Sequence, residues 1–246
     1  TNPAVKLDVV GSIKASQWIV GGCVNPNDAN DILVAVGPWC VDKYEASAWS
    51  TATGGTQYGS ASDTYPCGDN GQDCAVGAAN PIYGRSVVGV TPSRYITWFQ
   101  ANIACSNAGK QLLPNAVWQA AAAGTVDPGA TGTPPNCTVS GAGGPTTTGG
   151  GTSCLSTWGV ENMIGSLEEW VADWWATGTN YVNSGVDGTG YINWPAGYNG
   201  DATYNMGTRA HDGVAYQNGL PSAVFRGGIW GDGARAGVFA LAAPSP

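Results

Sequence analysis

The stretch WGVENMIGSLEEWVADWW, residues 158–175, decides how this 246-residue chain is read. Its middle, ENMIGSLEEW, joins an Asn to a Glu through a glycine-containing turn. A turn offers backbone carbonyls, and a hard cation takes oxygen ligands from several directions. Asn162 and Glu169 are thus spaced to bracket the carbonyls of Gly165 and Leu167. The plainer alternative is a loop whose Asn and Glu make ordinary hydrogen bonds. Glu168, Glu169 and Asp173 also invite a glycosidase reading, because paired acids flank the scissile bond in that chemistry. Adjacent Glu168 and Glu169 would point to different faces of either a helix or a strand, so at most one joins Asp173. Structural use of these acids is the favoured reading.

Upstream, ITWFQANIACSNAG reads as a helix. Thr97 followed by Gln100 has the form of a capping box, Trp98, Ala101, Cys105 and Ala108 recur at helical spacing, and Gly109 supplies the stop. NAVWQAAAAG reads as a second helix, with Asn115 as N-cap after Pro114 and Gly124 as terminator. DILVAVG (31–37) and WCVDKYEAS (39–47) are strand-like, broken by Gly37 and Pro38. AVFRGGIW and AGVFALA are two short terminal strands around Gly231 to Gly233. Residues 50–95 and 125–157 read as loop, and a further irregular stretch over 176–222 carries Tyr181, Tyr191, Trp194, Tyr198, Tyr204 and Tyr216. Irregular segments this long are usually functional or fastened by metals or disulfides. The result is an α+β scaffold with two helices, a small twisted antiparallel sheet and long irregular loops, preceded over residues 1–30 by an arm or edge strand.

Composition excludes several classes. Thirty-eight Gly and 15 Pro are compatible with a packed, loop-rich chain, and 11 Trp with 10 Tyr supply amphipathic aromatics. Nine Lys and Arg against 17 Asp and Glu give a net charge of -8, which opposes nucleic-acid binding. No apolar run reaches the roughly 18–20 residues that span a bilayer. A start at Thr1 predicts a processed product or an excised fragment. His211 is the single histidine, so zinc sites and His-based nucleophilic schemes lack their ligands and base. No P-loop or helix-opening GxGxxG occurs.

Seven cysteines suggest an oxidising compartment. Cys67 and Cys74 flank a tight Gly/Asp/Asn loop, and Cys137 and Cys154 bracket a Gly/Thr-rich segment. A cross-link there would stabilise by about 3 kcal/mol through the unfolded chain. Cys23, Cys40 and Cys105 remain, at least one of them unpaired or intermolecular.

The order CVDKYEAS, ITWFQANIACSNAGKQLLPNAVWQAAAAG, WGVENMIGSLEEWVADWW and FRGGIW resembles the formylglycine-generating enzyme-like (sulfatase-modifying factor) branch of the C-type lectin fold. The blocks span about residues 40–230 and assign a C-type lectin-like domain to residues 31–246. The resemblance implies structural calcium held by Asn162, the carbonyls of Gly165 and Leu167, and Glu169, with Ser166 where the family usually has Asn. Enzymes of that family use two cysteines after their RGGS to bind copper. Here GIWGDGARAGVFALA follows and no cysteine lies beyond Cys154, so oxidase activity is not expected.

The tail FRGGIWGDGARAGVFALAAPSP, within a variable segment 226–246, looks like the variable region of proteins diversified by diversity-generating retroelements. In such systems template adenines are randomised. Ile229, Gly231, Asp232, Arg235 and Ala242 are each reachable from AAC by changing adenines alone, whereas Arg226, Gly227, Gly228, Trp230, Gly233 and AGVFAL read as framework. Trp230, Asp232 and Arg235 share one short segment, and Trp194, Tyr198 and Tyr204 come from a loop able to border it. The resemblance implies a non-enzymatic module binding a variable protein or glycan ligand on a target surface, in an extracellular, cell-surface or virion setting. The alternatives are a residual formylglycine-generating-type oxidase and a structural surface or filament subunit.

Overall fold

The computed structural model of the chain describes residues 22–141, 143–176 and 221–242. They form an α+β fold of two helices and three small antiparallel sheets. β1 (Leu33–Val36) and β2 (Trp39–Asp42) make a hairpin whose two-residue turn opens on Gly37 at φ +56°. β3 (Ser47–Thr51) is flanked by β4 (Gly54–Tyr58) and β5 (Tyr83–Arg85), and β7 (Pro221–Gly227) lies between β6 (Glu169–Ala176) and β8 (Gly237–Ala242). All these pairings are antiparallel. β4 and β5 fall inside the stretch 50–95 read as loop. Their sequences, GGTQY and YGR, carry little β-propensity; β4 is a strand through its hairpin with β3, and β5 through pairing with β3 from more than 30 residues away.

Helix α1 (Trp98–Asn107) starts on the expected capping box: Gln100 N donates to Thr97 Oγ1 at 3.2 Å, and Thr97 N donates to Gln100 Oε1 at 3.0 Å. It ends in a Schellman motif, with Lys110 N on Cys105 O, Gly109 N on Ser106 O, and Gly109 at φ +75°. Helix α2 spans Asn115–Ala121. Asn115 is its first helical residue and not the cap, because Pro114 holds that position without a side-chain bond. The acceptor for the exposed amide comes from far along the chain: Asp173 Oδ2 takes Asn115 N at 2.6 Å.

Three disulfides brace the frame. Cys67–Cys74 and Cys137–Cys154 form as the spacing suggested, Cys23 pairs with Cys40, and Cys105 keeps its thiol. The N-terminal arm is described from residue 22 onward, and there Asp28 pairs with Arg85 at 2.5 Å.

The core gathers Trp118 of α2, Val171 of β6, Val224 of β7, Val238 of β8 and Ile164. At its centre Arg226, 3% exposed, stacks its guanidinium 4.3 Å from the ring centroid of Trp118, itself 1% exposed. The guanidinium donates to Asn115 Oδ1, to Gln119 Oε1 at 2.5 Å, and to the carbonyls of Val238 and Ala240 at 2.7 and 3.1 Å. Trp118 Nε1 donates in turn to Glu169. Burial pulls Arg226 down to about 10, against the opposing charges of Glu169 and Asp173. Burial pushes Glu169 up to about 7, opposed by the Trp118 bond and Arg226.

Arg226→Met keeps the aliphatic stem but strands Asn115, Gln119 and the partly buried Glu169. Unfolding in urea should report a loss of about 3–5 kcal/mol, the cost of removing one partner from a buried charged network. A loss below about 1 kcal/mol would contradict the role given to Arg226.

Candidate functional site

The turn singled out in the sequence is built by residues with left-handed backbone: Asn162 at φ +61°, Gly165 at +73° and Ser166 at +57°. Gly165 is required twice over, since a Cβ there would also sit 2.1 Å from Thr138 O. Ser166 N donates to Thr138 O at 2.7 Å and Gly165 N to Gly227 O at 3.2 Å. The buried carboxylate of Glu45 clamps the turn, accepting Leu167 N at 2.7 Å and Ser166 Oγ at 2.8 Å. Burial, then the nearby charge of Glu169, raises Glu45 well above the ordinary carboxylate range. Glu45 lies in CVDKYEAS, and nothing local to that segment signals that the partner of its carboxylate stands 122 residues away.

The donor chemistry of this turn suits a hard cation at one point in particular. Asn162 is 2% exposed, and its Oδ1 is buried without a hydrogen-bond partner. Such an orphaned acceptor is unfavourable unless a cation or donor meets it. Glu169 is differently placed, with one carboxylate oxygen already accepting from Trp118. Asp173 caps α2, so both carboxylates of the glycosidase reading are engaged with that helix.

The β7–β8 connection carries most of the residues expected to meet a ligand. Trp230 N donates to Ser166 O at 3.1 Å and Gly233 N to Val139 O at 2.8 Å, so main-chain atoms dock the loop on the frame. Asp232 Oδ2 accepts Ile229 N at 2.9 Å, and Arg235 approaches Asp232 Oδ1 at 3.5 Å. The side chains of Arg235 and Asp232 are 44% and 17% exposed. Ile229 and Trp230 are partly buried and Gly231 is exposed. Ala242 is separate from them, at the end of β8 opposite Phe225. Trp194, Tyr198, Tyr204 and His211 lie outside the described residues.

The glycines of this loop divide by their surroundings. Gly228, at φ +87°, would place a Cβ 2.8 Å from the Ala236 backbone, and Gly233, at φ +56°, would place one 3.3 Å from Ala130 O. Gly231 has no such φ and nothing within 4 Å of its Cβ position. The cleft between Phe225, Asp232 and Arg235 holds only about 20 Å³, far below the roughly 300 Å³ of a small-molecule pocket. A cavity of about 670 Å³ lies elsewhere, against α1 and β2, and shares Leu167, Glu168 and Glu169 with the candidate ligands and acids singled out in the sequence. Arg94 adjoins the loop at Trp230, with Tyr95 against its guanidinium, without either having been foreseen. Their one sequence signal is a basic residue beside an aromatic one in a chain with few cations.

No family model matches the chain, and no curated protein matches it. Among solved structures it is similar to a Major Tropism Determinant I1 variant, at 18% identity and a TM-score of 0.40. It is also similar to a Major Tropism Determinant P3c variant, at 20% identity and a TM-score of 0.35. Each likeness covers 84% of this chain and 51% of the other, so the chain spans about half the length of the structures it matches.

Proposed function

We propose that the chain is a non-enzymatic ligand- or receptor-binding module whose β7–β8 loop is a variable contact face of the diversity-generating retroelement type. Its ligand is a protein or glycan on a target surface, met outside the cell or from a virion. One observation carries this reading: the loop is held by backbone atoms of Trp230 and Gly233, while the glycine expected to vary, Gly231, has open space around it and the framework glycines do not. Anchorage of Trp230 and Gly233 through the main chain is indifferent to side-chain identity, so substitutions at 229, 231 and 235 leave it intact, and at 232 they remove a bond within the loop, from Ile229 N to Asp232 Oδ2. The shallow cleft that the described residues form at the loop suits an extended contact face, where a few exposed aromatic and Arg side chains dominate affinity. Catalysis by a copper-bound thiol pair is disfavoured because six cysteines are consumed in disulfides. Burial and neighbouring acids push the remaining Cys105 thiol up to about 12, so it is not a ready thiolate.

The reading includes a structural calcium held by Asn162, the Gly165 and Leu167 carbonyls and Glu169, supported by the orphaned Asn162 Oδ1. It would fix the turn on which Trp230 rests and would touch no ligand.

A library randomised at 229, 231, 232, 235 and 242 tests the contact face. Most clones should melt within a few degrees of the parent, and panning on immobilised lysozyme should recover binders. Gly228→Ala, by contrast, should melt markedly lower. General unfolding across the library, or no binder from it, would reject the reading. For the metal, melting in calcium should exceed melting in chelator, and Asn162→Ala should abolish the difference. Equal melting temperatures in the parent protein would remove the calcium.

A further inference from the structure

Beside the β7–β8 loop, Arg94 is held in an unusual setting. Its backbone is fixed on both sides, with Arg94 N donating to Gly59 O at 2.9 Å and Tyr65 Oη donating to Arg94 O at 2.9 Å. Its guanidinium carbon lies 5.1 Å from the ring centroid of Tyr95 and 5.7 Å from that of Trp230. One amino group donates to Ala61 O at 3.2 Å, and Nε is buried without any partner. Arg85, Lys110 and Arg235 each pair with carboxylates, whereas Arg94 meets none among the described residues. Lys43 and Arg226 likewise lack a carboxylate ion pair among the described residues, so what sets Arg94 apart is its buried Nε without an acceptor.

Tyr95 adds an independent sign. It is 55% exposed, yet its backbone sits at φ +62°, where a bulky aromatic residue is strained. Strain of this kind persists where the surrounding structure imposes it, and it clusters at ligand sites. Next to the guanidinium stands Gly144, whose Cβ position is 3.9 Å from Arg94 Nη1, so no side chain from that residue covers the approach.

Resting on the contact-face reading above, we propose that Arg94, Tyr95 and Trp230 form a subsite for a carboxylate-bearing sugar, of the uronic or sialic acid type. The planar carboxylate matches the guanidinium fork, and the two rings offer apolar faces to the body of the sugar. The overall negative charge repels a polyacidic peptide but tolerates a single carboxylate on a neutral ring. Trp230 links the subsite to the variable loop, so Trp230 and Arg94 would supply a common contact while positions 229, 231, 232 and 235 vary around it.

The test is titration of the full chain with methyl glucuronide, methyl sialoside, neutral methyl glucoside and a Glu-rich peptide, read at the Trp230 indole N–H by NMR. The two acidic sugars should shift that signal saturably, and the neutral sugar should bind at least tenfold more weakly. Arg94→Gln should weaken the acidic sugars at least tenfold. Tyr95→Gly relieves the backbone strain, so it should melt no lower than the parent while losing affinity, which separates binding from folding. An unshifted Trp230 signal with both acidic sugars, equal response to the neutral sugar, or a stronger response to the peptide would overturn the subsite. If the randomised library still yields binders in that event, the contact-face reading stands and this inference alone falls.

Discussion

The structure depends on one buried contact, the guanidinium of Arg226 lying on the indole of Trp118. Neither residue alone explains the arrangement. The arginine can be buried because its donors reach Asn115 and Gln119 on α2 and two carbonyls of β8, which replaces the water it gives up. The indole can be buried because Nε1 ends on Glu169 at the start of β6. The set joins α2, β6, β7 and β8, four elements that a hydrophobic core of mostly small residues would hold in less definite register. Directional bonds of this kind specify one packing among several of similar apolar area.

From that centre the order runs outward. Gly227 follows Arg226 and accepts Gly165 N, so the 162–170 turn is seated directly on the strand that Arg226 fixes. Glu45 holds the other side of the turn, and Ser166 then receives Trp230. The β7–β8 loop is therefore the last piece of a chain of main-chain contacts that begins in the core. Its attachment to the frame runs through the amides of Trp230 and Gly233, while Gly231 and Arg235 are exposed, which is the physical condition for positions able to vary.

Much of this was legible in the sequence where the signal is local. The capping box at Thr97 and Gln100 and the Gly109 stop depend on residues within one or two turns, and both form as read. Signals that depend on partners far along the chain were not legible. Asn115 looks like an N-cap, yet its side chain is taken by Arg226 and its amide by Asp173, 111 and 58 residues away. β5 lacks a β-branched run and exists through pairing with β3. At the β7–β8 loop, Gly228 and Gly233 combine positive φ with close neighbours while Gly231 has open space, a difference of surroundings that the glycine letters alone do not carry. Arg94 carried only the weak signal of a basic residue beside an aromatic one, since its neighbour Trp230 comes from a segment 136 residues later.

Native-state hydrogen exchange at Gly165, Trp230 and Gly233 addresses the central claim most directly, because these three amides connect core, turn and loop. If the loop is docked through its backbone on a frame organised by Arg226, they should exchange within about tenfold of amides in β7, as expected for one cooperative unit. Exchange of Trp230 and Gly233 at the rate of an unprotected loop, while β7 stays protected, would contradict it.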